Sequence, residues 1–251
     1  MSGNCWKMSE SHWAKRSLPP VHIVRITPET SEPTLLTYRR CYMGISLDNP
    51  VFQGKTLEAL LAWTTERFEQ CLVVTGDYLR RHNEYILNGS DDGAAAAAAL
   101  AAGDAFIEAS REVFAEAPSE RLELVRWQDC MAFGEYAESR AQLDGLFAAD
   151  PVFQAALRKD AAAFVKRQTR HGRPLAVTEK EAVAISCQYL LEEIAVFSAL
   201  SERGWRVDLY PGAELSVLVE AARGAFADIP QGLKERINVQ LRCGRGRIEA
   251  R

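Results

Sequence analysis

The sequence predicts an α/β protein with a mostly parallel central sheet flanked by helices, and three observations carry that prediction. First, Arg39 to Leu47 and Cys71-Leu-Val-Val-Thr75 are short apolar runs of the kind found in strands buried on both faces, with Leu122-Glu-Leu-Val-Arg-Trp127 a third strand candidate. Second, the segment between the first two, Lys55 to Gln70, carries Leu57, Leu60, Leu61, Thr64 and Phe68 on one helical face. Strand, helix and strand in so few residues read as a parallel βαβ unit. Third, strand and helix patterns alternate along the chain with no internal repeat and no convincing linker, which predicts one doubly wound domain.

Composition narrows the classes open to it. The chain has 251 residues, 47% of them hydrophobic, enough for a substantial core. No run approaches the roughly 18 consecutive apolar residues of a membrane span. The first residues hold Lys7, Glu10, His12, Lys15 and Arg16 with no apolar core, unlike a secretory signal. The six cysteines are scattered without Cys-x-x-Cys or clustered histidines, which argues against a zinc site or a disulfide framework. Reduced thiols and a cytoplasmic location are therefore expected. A net charge of -4 gives no global attraction to nucleic acid, so a polyanionic partner needs a local basic patch.

Taken in order, residues 1–20 form a flexible polar lead-in ending at Pro19-Pro20, and 21–240 form the domain. Val21 to Thr27 alternates as a first strand, and Pro28 to Pro33 is a loop. Arg39 to Leu47 is the second strand, followed by the Lys55–Gln70 helix and the strand at Cys71–Thr75. Asp77 to Asn88 reads as a helix stopped by Gly89. The alanine-dominated stretch that follows predicts one helix over about 92–116, because alanine is the best helix former. After the strand at Leu122, helices follow near 133–147 and 151–171, then a long one from Thr178 to Arg203. Trp205 to Tyr210 reads as the last strand, stopped by Pro211-Gly212, with a further helix over Glu214 to Arg223. Residues 241–251 read as a basic, glycine-rich tail.

Four features carry chemistry. The second strand ends in the turn Gly44-Ile-Ser-Leu-Asp-Asn49, which puts the Ser46 hydroxyl at the carboxyl end of a central strand, where open α/β sheets place ligand crevices. A serine in a turn is also an ordinary turn residue. On the long helix, Tyr189 and Glu193 are four apart and lie together beside an apolar stripe of Val183, Cys187, Leu190, Ile194 and Phe197, with Glu192 turned towards solvent. A phenol beside a carboxylate can grip an ammonium group or move a proton, and is equally a solvated boundary pair. Tyr210 sits at a strand end on the same sheet edge as Ser46. On the 151–171 helix, Lys159, Lys166 and Arg170 gather opposite Phe153, Leu157 and Phe164, with Arg158, Arg167 and Arg173 nearby and only Asp160 against them. Such a surface suits a phosphate backbone, or is simply a solvated face. Arg80, Arg81 and His82 form a smaller basic group.

Other machinery is missing. There is no Gly-x-x-x-x-Gly-Lys-Ser/Thr loop, and no Gly-x-Gly-x-x-Gly after the first strand. The four histidines, His12, His22, His82 and His171, do not fall on the late post-strand loop where an α/β hydrolase carries its base. A nucleophilic Ser46 would need other assistance, and a preactivated ester substrate lessens that need.

Gly44-Ile-Ser-Leu-Asp-Asn49 after a strand, the Lys55–Phe68 helix containing Trp63, Tyr189-x-x-x-Glu193 and Leu209-Tyr-Pro211 occur in the order and spacing of a known family. Over about residues 39–212 the chain resembles the tRNA-dependent cyclodipeptide synthases. The resemblance implies a single Rossmann-like domain akin to the catalytic domain of class I aminoacyl-tRNA synthetases, without their ATP motifs. It implies two aminoacyl-tRNAs as substrates, no cofactor or metal, no membrane, and a monomer. It implies that Ser46 carries aminoacyl and then dipeptidyl esters, that Tyr189 and Glu193 hold the ammonium, and that Tyr210 relays a proton. Gly44 and Asn49 would shape the turn, and Tyr42 and Met43 would border the first side-chain pocket. The chain departs from the family in combining Asn49, typical of one branch, with Tyr210-Pro211, typical of the other. It lacks the basic helix that contacts the first tRNA in the Asn branch, since 92–116 is mostly alanine and acid. The tRNA surface is therefore expected on Lys159, Lys166, Arg167 and Arg170, with Arg80 and Arg81. The alternatives are a serine ester hydrolase on the same scaffold and a non-catalytic tRNA-binding module related to synthetases.

Overall fold

The computed structural model describes residues 17–118, 120–170 and 172–244. The lead-in over 1–16, His171 and the end of the tail, 245–251, lie outside the described residues.

The sheet is built outward from β2 (Arg40–Ile45), with β5 (Val207–Tyr210) on one side and β3 (Gln70–Thr75) on the other, both parallel to it. β4 (Leu122–Arg126) adds parallel to β3, β6 (Ile237–Cys243) adds parallel to β5, and β1 (Val21–Thr27) closes that edge antiparallel to β6. The spatial order is β1-β6-β5-β2-β3-β4. The expected mostly parallel sheet is present.

One strand was not anticipated. Trp205–Tyr210 is not the last: β6 follows it, preceded by the short helix α11 (Gln231–Glu235). Residues 241–243, read as the start of a tail, are the end of β6. Ile237-Asn-Val-Gln-Leu241 alternates apolar and polar, and the structure follows that alternation: Ile237, Val239 and Leu241 enter the core under α2 (Gly54–Arg67), while Asn238 lines the opposite face.

The same period of two runs through the neighbouring strands. Cys41, Met43 and Ile45 of β2 and Val207 and Leu209 of β5 pack on the α2 side. Tyr42 of β2 and Leu72 and Val74 of β3 pack on the other side, against α9 (Glu179–Glu202). Strand parity alone thus decides which side chains can reach a site on the α9 face.

Helix α9 organises that face. Thr178 and Glu181 form its capping box, each side chain accepting from the other's backbone N–H. By length and composition α9 is apolar enough to cross a membrane, but here it is mostly buried, packed by α7 (Gly134–Ala149), α8 (Pro151–Arg170), α11 and α3 (Arg81–Asn88). Close approach of α11 depends on Gly232, where a Cβ would lie 2.1 Å from the Ser198 carbonyl oxygen. The alanine-rich segment forms two helices, α4 (Asp92–Ala109) and α5 (Arg111–Glu116), broken at Ser110. Serine competes for backbone hydrogen bonds and tolerates such breaks well. Short helices α1 (Glu32–Leu35), α6 (Trp127–Met131) and α10 (Ser216–Ala222) complete the chain.

Candidate active site

Just beyond β2 the chain turns through Ser46. Gly76 N–H donates to the Ile45 carbonyl and Asn49 N–H to the Ser46 carbonyl, each at 3.0 Å. The Asn49 side-chain oxygen accepts from Val51 N–H at 3.1 Å, capping the single turn Pro50–Phe52. A Cβ on Gly76 would meet the Ile45 oxygen at 2.8 Å, so the crossing of the two strand ends requires glycine there. A Cβ on Gly44 would meet nothing within 4 Å, since this position faces open space in a cleft of about 750 Å³. Ser46, Asn49, Tyr189, Glu193 and Tyr210 all line that cleft.

Tyr189 and Glu193 reach it from successive turns of α9. The Tyr189 ring is stacked on Phe164 of α8, with centroids 6.4 Å apart and planes at 14°, and meets the His82 ring edge-on at 6.1 Å. Glu193 is half-buried by surface area because one side faces the cleft, yet protein surrounds it. Burial and then the charge of Asp208 push its carboxyl up to about 8, against opposing contributions from Arg236 and a hydrogen bond from Tyr189. Burial therefore favours the protonated form of Glu193 at neutral pH. Tyr210 packs its ring 6.0 Å from Phe52. Burial and the Glu193 charge raise its pKa, and hydrogen bonding with Asn49 and Ser46 partly offsets them. The ring orientation depends on Gly212, where a Cβ would lie 2.6 Å from a Tyr210 ring carbon.

The floor of the cleft was not foreseen. Arg236, entering β6, has a side chain 6% exposed and engages Asp208 through Nε and Nη2, and Glu214 through Nη1 at 2.8 Å. Its Nε also lies 3.3 Å from the Tyr42 hydroxyl. Period-two alternation in Val207-Asp-Leu-Tyr210 and Arg236-Ile-Asn-Val was the available signal, since it puts Asp208, Tyr210, Arg236 and Asn238 on one face.

Several expected placements need correction. Tyr42 and Met43 do not border the cleft; both are fully buried, Met43 under α2 and Tyr42 against α9, because a central strand is covered on both faces. Glu192 does not face solvent: it is 2% exposed, accepts hydrogen bonds from Arg81 and from Trp127 Nε1 at 3.0 Å, and meets His82 at 3.4 Å. Burial opposes its charge, but Arg81 and His82 outweigh burial and draw its pKa down to about 2. Arg81 is thereby withdrawn from any tRNA-facing surface, its side chain 14% exposed and both terminal nitrogens on Glu192. Arg80 lines the cleft and ties α3 to the Ser46 turn through Asp48, while also pairing with Glu84.

The basic face of α8 is solvent-exposed. Lys159, Lys166, Arg167 and Arg170 are exposed, and none of them makes an ion pair among the described residues. Asp160, the one acid among them, accepts from Val217 N–H at 2.8 Å and from the Ser216 hydroxyl, fixing the start of α10. Arg167 and Arg173 line the mouth of the cleft, so the basic face runs up to the site itself.

Comparison with known proteins gives one family. Residues 24–202 match the family model described as cyclodipeptide synthase. Among solved structures, a CDPS from Fluoribacter dumoffii superposes with a TM-score of 0.77 at 20% identity, covering 90% of this chain and 98% of that one. A cyclodipeptide synthase from Candidatus Glomeribacter gigasporarum, bound to Phe-tRNAPhe, gives 0.62 at 14% identity over 88% and 94%. A Mycobacterium tuberculosis protein, described as demonstrating that cyclodipeptide synthetases are related to type I tRNA synthetases, gives 0.59 at 14% over 89% and 92%. No curated protein matches the chain in sequence.

Proposed function

The chain belongs to the cyclodipeptide synthase family, and on that footing we propose that it converts two aminoacyl-tRNAs into a cyclic dipeptide through esters on Ser46. The observation that carries the proposal is the convergence of Ser46, Tyr189, Glu193 and Tyr210, from β2, α9 and β5, on one cleft.

The Ser46 oxygen attacks the carbonyl carbon of the first aminoacyl ester. The bond to the tRNA ribose oxygen breaks, and Tyr210 carries the serine proton to that leaving oxygen. The aminoacyl group now sits on Ser46, its ammonium held by Tyr189 and Glu193. A cation beside Glu193 favours the ionised carboxylate, which then accepts the proton the amine must lose before it can attack. The amine attacks the carbonyl of the second aminoacyl-tRNA, the bond to the ribose oxygen breaks, the proton shed by the amine as the amide forms goes to that oxygen, and a dipeptidyl ester remains on Ser46. The free amine of that dipeptide attacks the serine ester, closing the six-membered ring and returning the proton to Ser46. Each bond made replaces an ester, so no nucleotide or metal is called for.

Support for tRNA as carrier comes from the exposed basic face of α8 and its continuation into the cleft mouth at Arg167 and Arg173. We place the phosphates on Lys159, Lys166, Arg167 and Arg170, with the acylated end entering past Arg167, and the site of action in the cytoplasm, where charged tRNA is made. The ester-hydrolase reading is weaker because, among the described residues, no histidine lines the cleft. Supplying the purified chain with charged tRNA and analysing the products by mass spectrometry is the test. Cyclic dipeptides support the proposal; free amino acid alone would favour hydrolysis.

A further inference from the structure

Three buried acceptors that line the cleft, Asn83 Oδ1, Ser186 Oγ and Glu214 Oε2, have no hydrogen-bond partner among the described residues, and Glu214 is the one that belongs to a carboxylate. Glu214 follows β5, and its side chain is 4% exposed. Its Oε1 accepts from Arg236 Nη1 at 2.8 Å, which fixes the carboxylate, while Oε2 is buried without a hydrogen-bond partner among the described residues. A buried carboxylate oxygen left bare is costly, and native proteins rarely carry one without a reason. The surrounding charge points the same way. Asp208 and Glu214 set two carboxylates against the single guanidinium of Arg236, all buried, leaving a surplus negative charge in the floor. Ala213, Leu215 and Leu218 line the cleft around this acid and offer an apolar wall leading to it. An apolar wall ending at a carboxylate matches a side chain with an aliphatic stem and a nitrogen tip.

We propose that Oε2 of Glu214 receives a protonated or N–H-bearing nitrogen of an aminoacyl substrate, making Glu214 a specificity-determining residue of this cleft. The inference rests on the aminoacyl-tRNA reading above and adds the substrate class. Two sources share this chemistry, a basic amino-acid side chain and the α-ammonium of the second aminoacyl group, and they leave different signatures.

The test supplies the full chain with tRNA charged with a mixture of all the standard amino acids, and compares cyclic dipeptides from wild type, Glu214→Gln and Glu214→Leu by mass spectrometry. If the nitrogen belongs to a side chain, wild-type products contain lysine, arginine or histidine. Glu214→Leu then lowers these about tenfold or more relative to apolar products, as expected when a charged hydrogen bond is lost. If it is the α-ammonium, both variants lower every product by a similar factor with proportions unchanged. Product proportions and total yield within twofold of wild type in both variants would overturn the proposal, leaving Glu214 as a partner of Arg236 only. Glu214→Gln keeps the shape and the contact to Arg236, so it decides the matter even if the leucine variant does not fold. A wild-type chain that forms no cyclic dipeptide overturns the reading beneath; a productive wild type with indifferent variants overturns the Glu214 assignment alone.

Discussion

Glu192 and Glu193 are neighbours on α9 that face opposite surroundings. Glu192 is clasped by Arg81, His82 and Trp127, whereas Glu193 opens onto the cleft beside Tyr189. Their carboxyls sit at about 2 and about 8 respectively. Arg81 and His82 favour the ionised form of Glu192, which anchors α9 to α3, whereas burial favours the protonated form of Glu193.

The pH dependence of Glu193 has a definite sign. Its folded value is about 8 against an ordinary 4.5, so between those values the folded chain keeps a proton that the unfolded chain has released. The stability it contributes is complete below the unfolded value and is lost as pH rises through about 8. Glu193→Gln should therefore melt higher than wild type at pH 8.5 and close to wild type at pH 5, as thermal melts will show. The same substitution should reduce product formation on the order of 100-fold or more and remove a rising limb near pH 8 from kcat/KM.

Breaking the Arg81–Glu192 pair should be felt first as lost stability. Arg81→Met leaves a buried carboxylate without its bidentate partner, a change costing about 3–5 kcal/mol. Urea unfolding is the measurement. A stability near wild type, with weaker tRNA binding instead, would return Arg81 to the tRNA surface.

Three glycines separate shape from chemistry. Gly44→Val directs its side chain into the open cleft, so it should fold normally and lose activity. Gly212→Ala should displace the Tyr210 ring and lower the rate with a smaller effect on melting. Gly232→Ala drives a methyl into the Ser198 carbonyl and should cost stability outright. Paired melting and product assays on the three variants distinguish these outcomes.

The basic face of α8 should behave as a phosphate surface. Charge reversal of Lys159, Lys166 and Arg170 should weaken tRNA binding at low salt and flatten its dependence on ionic strength, because fewer counterions are released. Binding titrations at two salt concentrations read both effects. Unchanged affinity would move the tRNA elsewhere.

What could be read from sequence followed local periodicity. The βαβ unit around Ser46 and the i, i+4 pair Tyr189/Glu193 are local patterns, and both hold in the structure. Glu192 was misplaced because a helical wheel assumes one buried face, while α9 is enclosed by helices as well as by the sheet. Tyr42 and Met43 were misplaced for the same reason at the level of a strand. Alternation puts Arg236 and Asn238 on one face of β6, but that this face meets Asp208 and Tyr210 follows from the pairing of β6 with β5, a contact between distant segments. Ile237–Leu241 alternates as a strand does, but the basic, glycine-rich residues that follow resemble a solvated tail.

The covalent role proposed for Ser46 is tested most directly by intact-protein mass spectrometry after brief mixing with aminoacyl-tRNA. Wild-type protein should be heavier by one aminoacyl group, and Ser46→Ala should show no such species. An adduct that persists in Ser46→Ala, or cyclic dipeptide formation by that variant at the wild-type rate, would contradict it.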